Sequence, residues 1–93
     1  MNLVWSPNFR RMAKRAVQRN PDLRERIRDT LRLLTEDPFY PKLHSHKLEG
    51  ELSNLWACTL DYDNRIIFKF ASNPETGEKE IVLLALGKHD EVY

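Results

Sequence analysis

The sequence predicts a single small α+β domain in the order β-α-α-β-β-β, with a helical hairpin packed on one face of a twisted, mostly antiparallel sheet. Three observations predict it. Two consecutive segments carry apolar residues at helical spacing and meet at Asn20-Pro21. Three later segments are rich in aromatic and β-branched residues, as strands require. The chain has 93 residues, and domains of roughly 100 to 150 residues are the usual scale, so residues 1–93 form one domain rather than a multidomain enzyme.

Leu3-Val4-Trp5 reads as a short strand, followed by Ser6 as a helix cap and Pro7 at the first helical position. Phe9, Met12, Ala13, Ala16 and Val17 then share one helical face, with Arg10, Arg11, Lys14 and Arg15 mostly outside it. Asn20-Pro21 closes this helix and opens another. There Leu23, Ile27, Thr30, Leu31 and Leu34 repeat the pattern up to Glu36, and Asp37-Pro38 stops it. Neither helix is stable alone at this length, so a sheet must lie against them. Phe39 to Ser53 shows no period and reads as a loop. Leu55 to Tyr62 and Arg65 to Ala71 read as strands joined by a turn at Asp63-Asn64, and Ile81 to Leu86 as a central, buried strand beyond the turn-forming Ser72 to Glu78.

Apolar residues make up 41% of the chain and charged residues 31%, with a formal net charge of +1, so disorder driven by like charge is excluded. The average hides a split. Residues 1 to 35 hold nine Lys/Arg against three Asp/Glu, and residues 36 to 93 hold six against eleven. Clustered cations suit an RNA or an acidic partner, although a charge run also serves as an ordinary wet helix face. The lone Cys58 makes no internal disulfide, the apolar start Met-Asn-Leu-Val-Trp is too short for a signal peptide, and no apolar run approaches the ~20 residues of a membrane span. A cytoplasmic protein is expected.

Three histidines raise a metal site first. His44 and His46 alternate in what reads as an extended segment, and His89 would add a third nitrogen. No fourth ligand is evident and Lys47 would repel a cation, so no metal and no cofactor are expected. A Ser/His/Asp triad fares worse, since no serine lies in a nucleophile-elbow context. The same residues suit phosphodiester chemistry better. Attack of an RNA 2′-hydroxyl on its own phosphate needs a base near neutral pH, fixed cationic charge and an acid for the leaving oxygen. Imidazole, with an unperturbed pKa of about 6.5, serves as either base or acid, and guanidinium as a forked phosphate donor. His46 and Lys47, Asp63 and Arg65, and Lys88, His89 and Tyr93 supply such groups from three segments that three neighbouring strands would bring to one sheet end. Each has a plain structural reading beside it: Asp63 shaping a turn, Arg65 guarding a strand edge, Tyr93 as a core-edge aromatic and Trp56 as packing.

The element order, the segment Lys47-Leu48-Glu49-Gly50, the run from Leu55-Trp56 through Asp61-Tyr62-Asp63-Asn64-Arg65-Ile66-Ile67-Phe68, and the ending Gly87-Lys88-His89-Asp90-Glu91-Val92-Tyr93 together resemble the RelE/ParE superfamily of bacterial toxins, nearest its YafQ branch. The resemblance implies the toxin of a type II toxin-antitoxin system. That toxin would be an mRNA interferase, a ribosome-dependent and metal-independent endoribonuclease that leaves a 2′,3′-cyclic phosphate and a 5′-hydroxyl and so inhibits translation. It implies catalytic roles for His46, Asp63, Arg65, His89 and Tyr93; the two histidines fit the base and acid roles in either order, with His46 as base and His89 as acid the order favoured here. Contact with RNA would fall to His44, Lys47, Lys88, Arg10, Arg11 and Lys14. The chain departs from the pattern where RelE-type toxins carry lysines on the strand occupied here by Trp56 and Cys58, and where YafQ has a histidine and a tryptophan, here Thr59 and Asn64. Lys47 and Lys88 would stand in for the missing lysines. Partners implied are a cognate antitoxin protein, the ribosome and mRNA, with no membrane and no metal. Two other functions fit the scaffold: a ParE-like inhibitor of DNA gyrase, and a catalytically inactive antitoxin-binding relative.

Overall fold

The computed structural model describes residues 1–50 and 54–92. Strand β1 (Asn2–Trp5) leads into helix α1 (Pro7–Arg19) and helix α2 (Leu23–Glu36). A single 3-10 turn (Pro41–Leu43) precedes the short β2 (His46–Lys47), then β3 (Trp56–Thr59), β4 (Asn64–Ser72), β5 (Lys79–Lys88) and one closing helical turn, α3 (His89–Val92). Among the described residues five strands form one sheet in the order β1-β5-β4-β3-β2, with β1 parallel to β5 and the other pairs antiparallel.

The helical hairpin forms as its caps dictate. Ser6 adopts an extended backbone and its Oγ accepts from the Phe9 N–H at 3.0 Å, so one unpaired donor of the first turn is satisfied, with Pro7 behind it. Phe9 and Ala13 of α1, and Leu23, Ile27, Thr30, Leu31 and Leu34 of α2, are buried against the sheet. The facing sheet residues are Cys58 and Leu60, Ile66 and Phe68, and Ile81, Leu83 and Leu86. Removing a side chain such as Phe9 from water contributes about 2 to 3 kcal/mol, so this single layer of contacts holds both helices.

Three sequence expectations are corrected here. The segment from Phe39, read as a loop, contains the 3-10 turn and a fourth strand of the antiparallel set, because His46 and Lys47 pair with Ala57 and Trp56. Two residues are too few to show any period. The β3–β4 turn lies one step earlier than Asp63-Asn64: Asn64 already belongs to β4, and Asp61 shapes the turn. Its Oδ1 accepts from the backbone N–H groups of Asp63 and Asn64 at 2.9 and 2.8 Å and from Asn64 Nδ2 at 3.0 Å. The strand expected over Ile81 to Leu86 runs from Lys79 to Lys88 and lies beside the middle strand, β4.

Strand β5 also carries a bulge. Ile67 faces Ala85 and Phe68 faces Leu83, which leaves Leu84 without a partner on β4. Its carbonyl turns to α1 and accepts from Asn8 Nδ2 at 2.9 Å and Ser6 Oγ at 3.4 Å, while the Ser6 N–H donates to the Leu83 carbonyl at 3.1 Å. The irregularity locks the start of α1 onto the sheet.

Candidate functional site

Strand alternation sorts the sheet residues into two faces. Ile66 and Phe68 of β4 face the helices, so Arg65, Ile67 and Lys69 face away from them. Through the register the outward row containing Ile67 is His46, Ala57, Ile67 and Ala85, and the next row is Thr59, Arg65 and Gly87. His46 and Arg65 therefore share the face that carries no helical hairpin. They are two strand spacings apart, about 10 Å, and two residues displaced along the strands. His89 follows the Gly87 row by two residues and opens α3 at the same sheet end. Across the sheet Arg65 on β4 stands between His46 on β2 and the end of β5 that delivers His89.

Each group is positioned by its own segment. The His46 ring is exposed, and its Nδ1 lies 3.0 Å from the carbonyl oxygen of His44. A carbonyl only accepts, so Nδ1 of His46 donates and the proton-free nitrogen of the neutral ring is Nε2. The Arg65 guanidinium folds over its own turn. Nη1 donates to the carbonyls of Asp61 at 2.9 Å, Asn64 at 3.1 Å and Tyr62 at 3.3 Å. One nitrogen of the fork thus fixes the group to the Asp61-shaped turn, and these bonds leave the Nε and Nη2 edges uncommitted.

Other expected residues lie elsewhere. His44 does not continue an extended segment; it ends the 3-10 turn in the left-handed conformation, φ 48°, ψ 40°. It opens onto a cleft between α2 and the β3–β4 turn, with Lys42, Arg26 and Tyr62, and so does not share an extended face with His46. Asp63 and Lys88 line a different cleft on the helix side, beside Asp61, Asn64, Arg15 and Arg19. Lys47 is exposed on β2, and Arg10, Arg11 and Lys14 are exposed on α1, in the layer opposite His46 and Arg65. Tyr93 lies outside the described residues.

Trp56 and Cys58 both lie on the helix-facing side of β3. Cys58 is 0% exposed, and burial pushes its thiol from 9.0 up to about 12, against the smaller lowering by the Ile66 backbone and the Arg65 charge. Trp56 packs edge-on against Phe39 and Phe70, with ring centroids 5.4 and 5.5 Å away. A lysine at either position would enter the core, and the outward positions of β3 are Ala57 and Thr59. Sequence reading also missed Asp61, whose signal was an Asp-x-Asp-Asn turn, and Arg15 and Arg19, which only the helix-to-sheet packing brings beside Asp63 and Lys88. Among the described residues no three His, Cys, Asp or Glu side chains converge as a metal site requires.

Residues 1–93 match the family model of the bacterial toxin of type II toxin-antitoxin systems, YafQ. The chain belongs to the YafQ family. Its fold is that of RelE-like toxins. The structure of YafQ from E. coli strain BL21(DE3) superposes with a TM-score of 0.80 at 16% identity, covering 99% of this chain and 97% of that one. A metal-bound toxin from Helicobacter pylori superposes with a TM-score of 0.77 at 26% identity, covering 100% and 99%. The chain matched in the E. coli DinJ-YafQ complex gives 0.74 at 17% identity, over 99% and 97%. No curated protein matches the chain. As a YafQ-family chain it is a toxin of a type II toxin-antitoxin system, and among its described residues no helix is long and apolar enough to cross a membrane.

Proposed function

We propose that this YafQ-family toxin is a metal-independent endoribonuclease that cleaves mRNA on the ribosome, in the cytoplasm, and that an antitoxin protein neutralises it. The observation that carries the catalytic part is the His46 ring. Its Nδ1 is committed to the His44 carbonyl, so Nε2 is left as the basic nitrogen on the same face as Arg65.

In this reading Nε2 of His46 takes the proton of an RNA 2′-hydroxyl, and that oxygen attacks the adjacent phosphorus. The bond from phosphorus to the 2′-oxygen forms as the bond to the 5′-oxygen breaks, and His89 returns a proton to the departing 5′-oxygen. The products are a 2′,3′-cyclic phosphate and a 5′-hydroxyl. Attack and departure occur on opposite sides of phosphorus, which suits an order across the sheet with the two histidines flanking Arg65. The guanidinium then meets the charge that develops on the non-bridging oxygens. Because Nη1 already holds the turn, little reorganisation accompanies the chemistry. Asp63 and Lys88 contribute from the neighbouring cleft, and the family resemblance gives Tyr93 a catalytic role. Arg10, Arg11, Lys14 and Lys47 act on RNA by charge rather than by chemistry, and His44 serves as an RNA contact. The complex of a YafQ chain with DinJ supports a protein partner.

The test is cleavage of mRNA on programmed ribosomes in the presence of a chelator, with analysis of the fragment ends. Cyclic phosphate and 5′-hydroxyl ends, lost with His46→Ala or His89→Ala in folded protein, are expected. Folded variants that cleave at the normal rate overturn the assigned roles. Filamentation with DNA damage, without mRNA cleavage, would instead favour gyrase as the target.

A further inference from the structure

The segment from Pro38 to His46 leads from the end of α2 to the edge strand β2, and it is fixed on both sides of His44. Pro41 opens the 3-10 turn, in which the N–H groups of Leu43 and His44 donate to the carbonyls of Tyr40 at 2.9 Å and of Pro41 at 3.1 Å. Leu43 is buried and pins that turn into the core. On the other side Ser45 Oγ donates to the Pro38 carbonyl at 2.6 Å, and His46 pairs with Ala57 on β3. His44 takes up the change of direction between these anchors, and it is the one non-glycine residue at positive φ among the described residues. A residue with a Cβ adopts this region at a cost, so the conformation persists only where the surroundings dictate it.

What the conformation changes is the direction of one carbonyl. In an extended strand the carbonyl of a residue points sideways in the plane of the sheet, while the side chain two residues on stands perpendicular to it, so the two do not meet. Here they meet, with the His44 carbonyl oxygen 3.0 Å from Nδ1 of His46. We propose that His44 is a positioning residue acting through its backbone: its left-handed conformation aims the carbonyl at Nδ1 of His46 and holds that ring in one orientation, as the tautomer whose basic nitrogen is Nε2. The ring needs such a device because it is exposed on an edge strand, where an imidazole bonded only to water exchanges its proton between both nitrogens. A fixed acceptor on one nitrogen settles the tautomer and raises the basicity of the other. The bond also strengthens when Nε2 takes a proton, because an imidazolium N–H donates more strongly to the same carbonyl. The side chain of His44, which opens onto the cleft with Lys42 and Tyr62, takes no part in this task. The use of Nε2 as the base rests on the endoribonuclease reading, whereas the tautomer and its cause do not.

The test separates the backbone of position 44 from its side chain. In the isotope-labelled full chain the ring nitrogens of His46 are followed by NMR at about pH 8.5, roughly two units above the unperturbed imidazole pKa. Nδ1 is expected to carry the proton and Nε2 to be free of it. His44→Gly and His44→Asn remove the imidazole but tolerate the left-handed region, and both are expected to keep this pattern. His44→Val, whose branched Cβ disfavours that region, is expected to lose it to a mixture of tautomers, with the overall fold checked by circular dichroism. In single-turnover cleavage on programmed ribosomes His44→Val is expected to react at least about tenfold more slowly than His44→Gly, a comparison of two chains that both lack the His44 ring. A wild-type ring protonated on Nε2 or mixed, loss of the pattern in Gly and Asn, its retention in Val, or equal cleavage by folded Gly and Val variants overturns the proposal. If the tautomer follows the backbone as expected but the wild-type chain cleaves no mRNA, the nuclease reading fails and the positioning of His46 stands.

Discussion

At the scale of single residues the site depends on a few oxygen acceptors. The Asp61 carboxylate takes three hydrogen bonds within its own turn, and the same turn's carbonyls take three from Arg65 Nη1. Asp61→Ala is expected to cost about 1 to 3 kcal/mol in urea unfolding, since turn donors lose their acceptor. It should also lower ribosome-dependent cleavage, because the Arg65 anchor goes with the turn. Tyr62 sits at the tip of that turn, 94% exposed. Tyr62→Ala is expected to change stability by less than about 0.5 kcal/mol in the same assay, which separates turn backbone from turn side chain. Cys58 gives a pH prediction. Its native thiol holds the proton up to about 12 rather than 9.0, so the folded state binds that proton more tightly than the unfolded one. The resulting stability is fully present below pH 9.0 and is lost as the pH rises through about 12. Iodoacetamide at pH 8 should leave Cys58 unmodified in native protein and label it in denaturant, as mass spectrometry can follow; native labelling at the denatured rate would contradict its burial.

At the scale of elements, the caps and stripes were legible and the short pieces were not. Ser6-Pro7, Asn20-Pro21 and Asp37-Pro38 bound the two helices where the sequence predicted, and the stripe from Leu23 to Leu34 is buried throughout. These features are local: a cap or a 3.6-residue period needs only a few neighbours. Strand β2 has two residues and is defined by its pairing with β3, a contact no period announces. The left-handed turn at His44 follows from the 3-10 turn before it and takes His44 away from His46's face. The candidate site residues follow from family likeness and chemistry, while the sorting of catalytic His46 and Arg65 onto an outer face, and of Asp63 with the RNA-binding Lys88 into a helix-side cleft, required the register. At this scale Ser6→Ala is expected to destabilise by about 1 kcal/mol in thermal or urea unfolding through loss of the Phe9 cap. Leu34→Ala, from a fully buried position, is expected to cost about 2 to 5 kcal/mol, enough to threaten a domain of this size.

At the scale of the whole molecule, the net charge of +1 is an average over two unlike layers. The basic helices and the more acidic sheet half have separate tasks in the proposed function: partner and RNA attraction on one side, chemistry by a few fixed groups on the other. Binding to programmed ribosomes is expected to weaken as salt rises, and Arg11→Glu to flatten that dependence without altering the fragment ends. A salt-independent association would remove charge from the account.

The pairing of β1 with β5 also bears on how the chain is made. Among the described residues, residues 2–5 find their only sheet neighbour in residues 80–83, and β5 is the strand that joins β1 to β4. Contacts this far apart in sequence form late and slowly. A growing chain that has not yet reached Lys79 lacks an interior strand, and with it the burial that holds α1 against Ile81, Leu83 and Leu86. The ribosome that synthesises this toxin therefore handles an unassembled polypeptide until β5 has emerged.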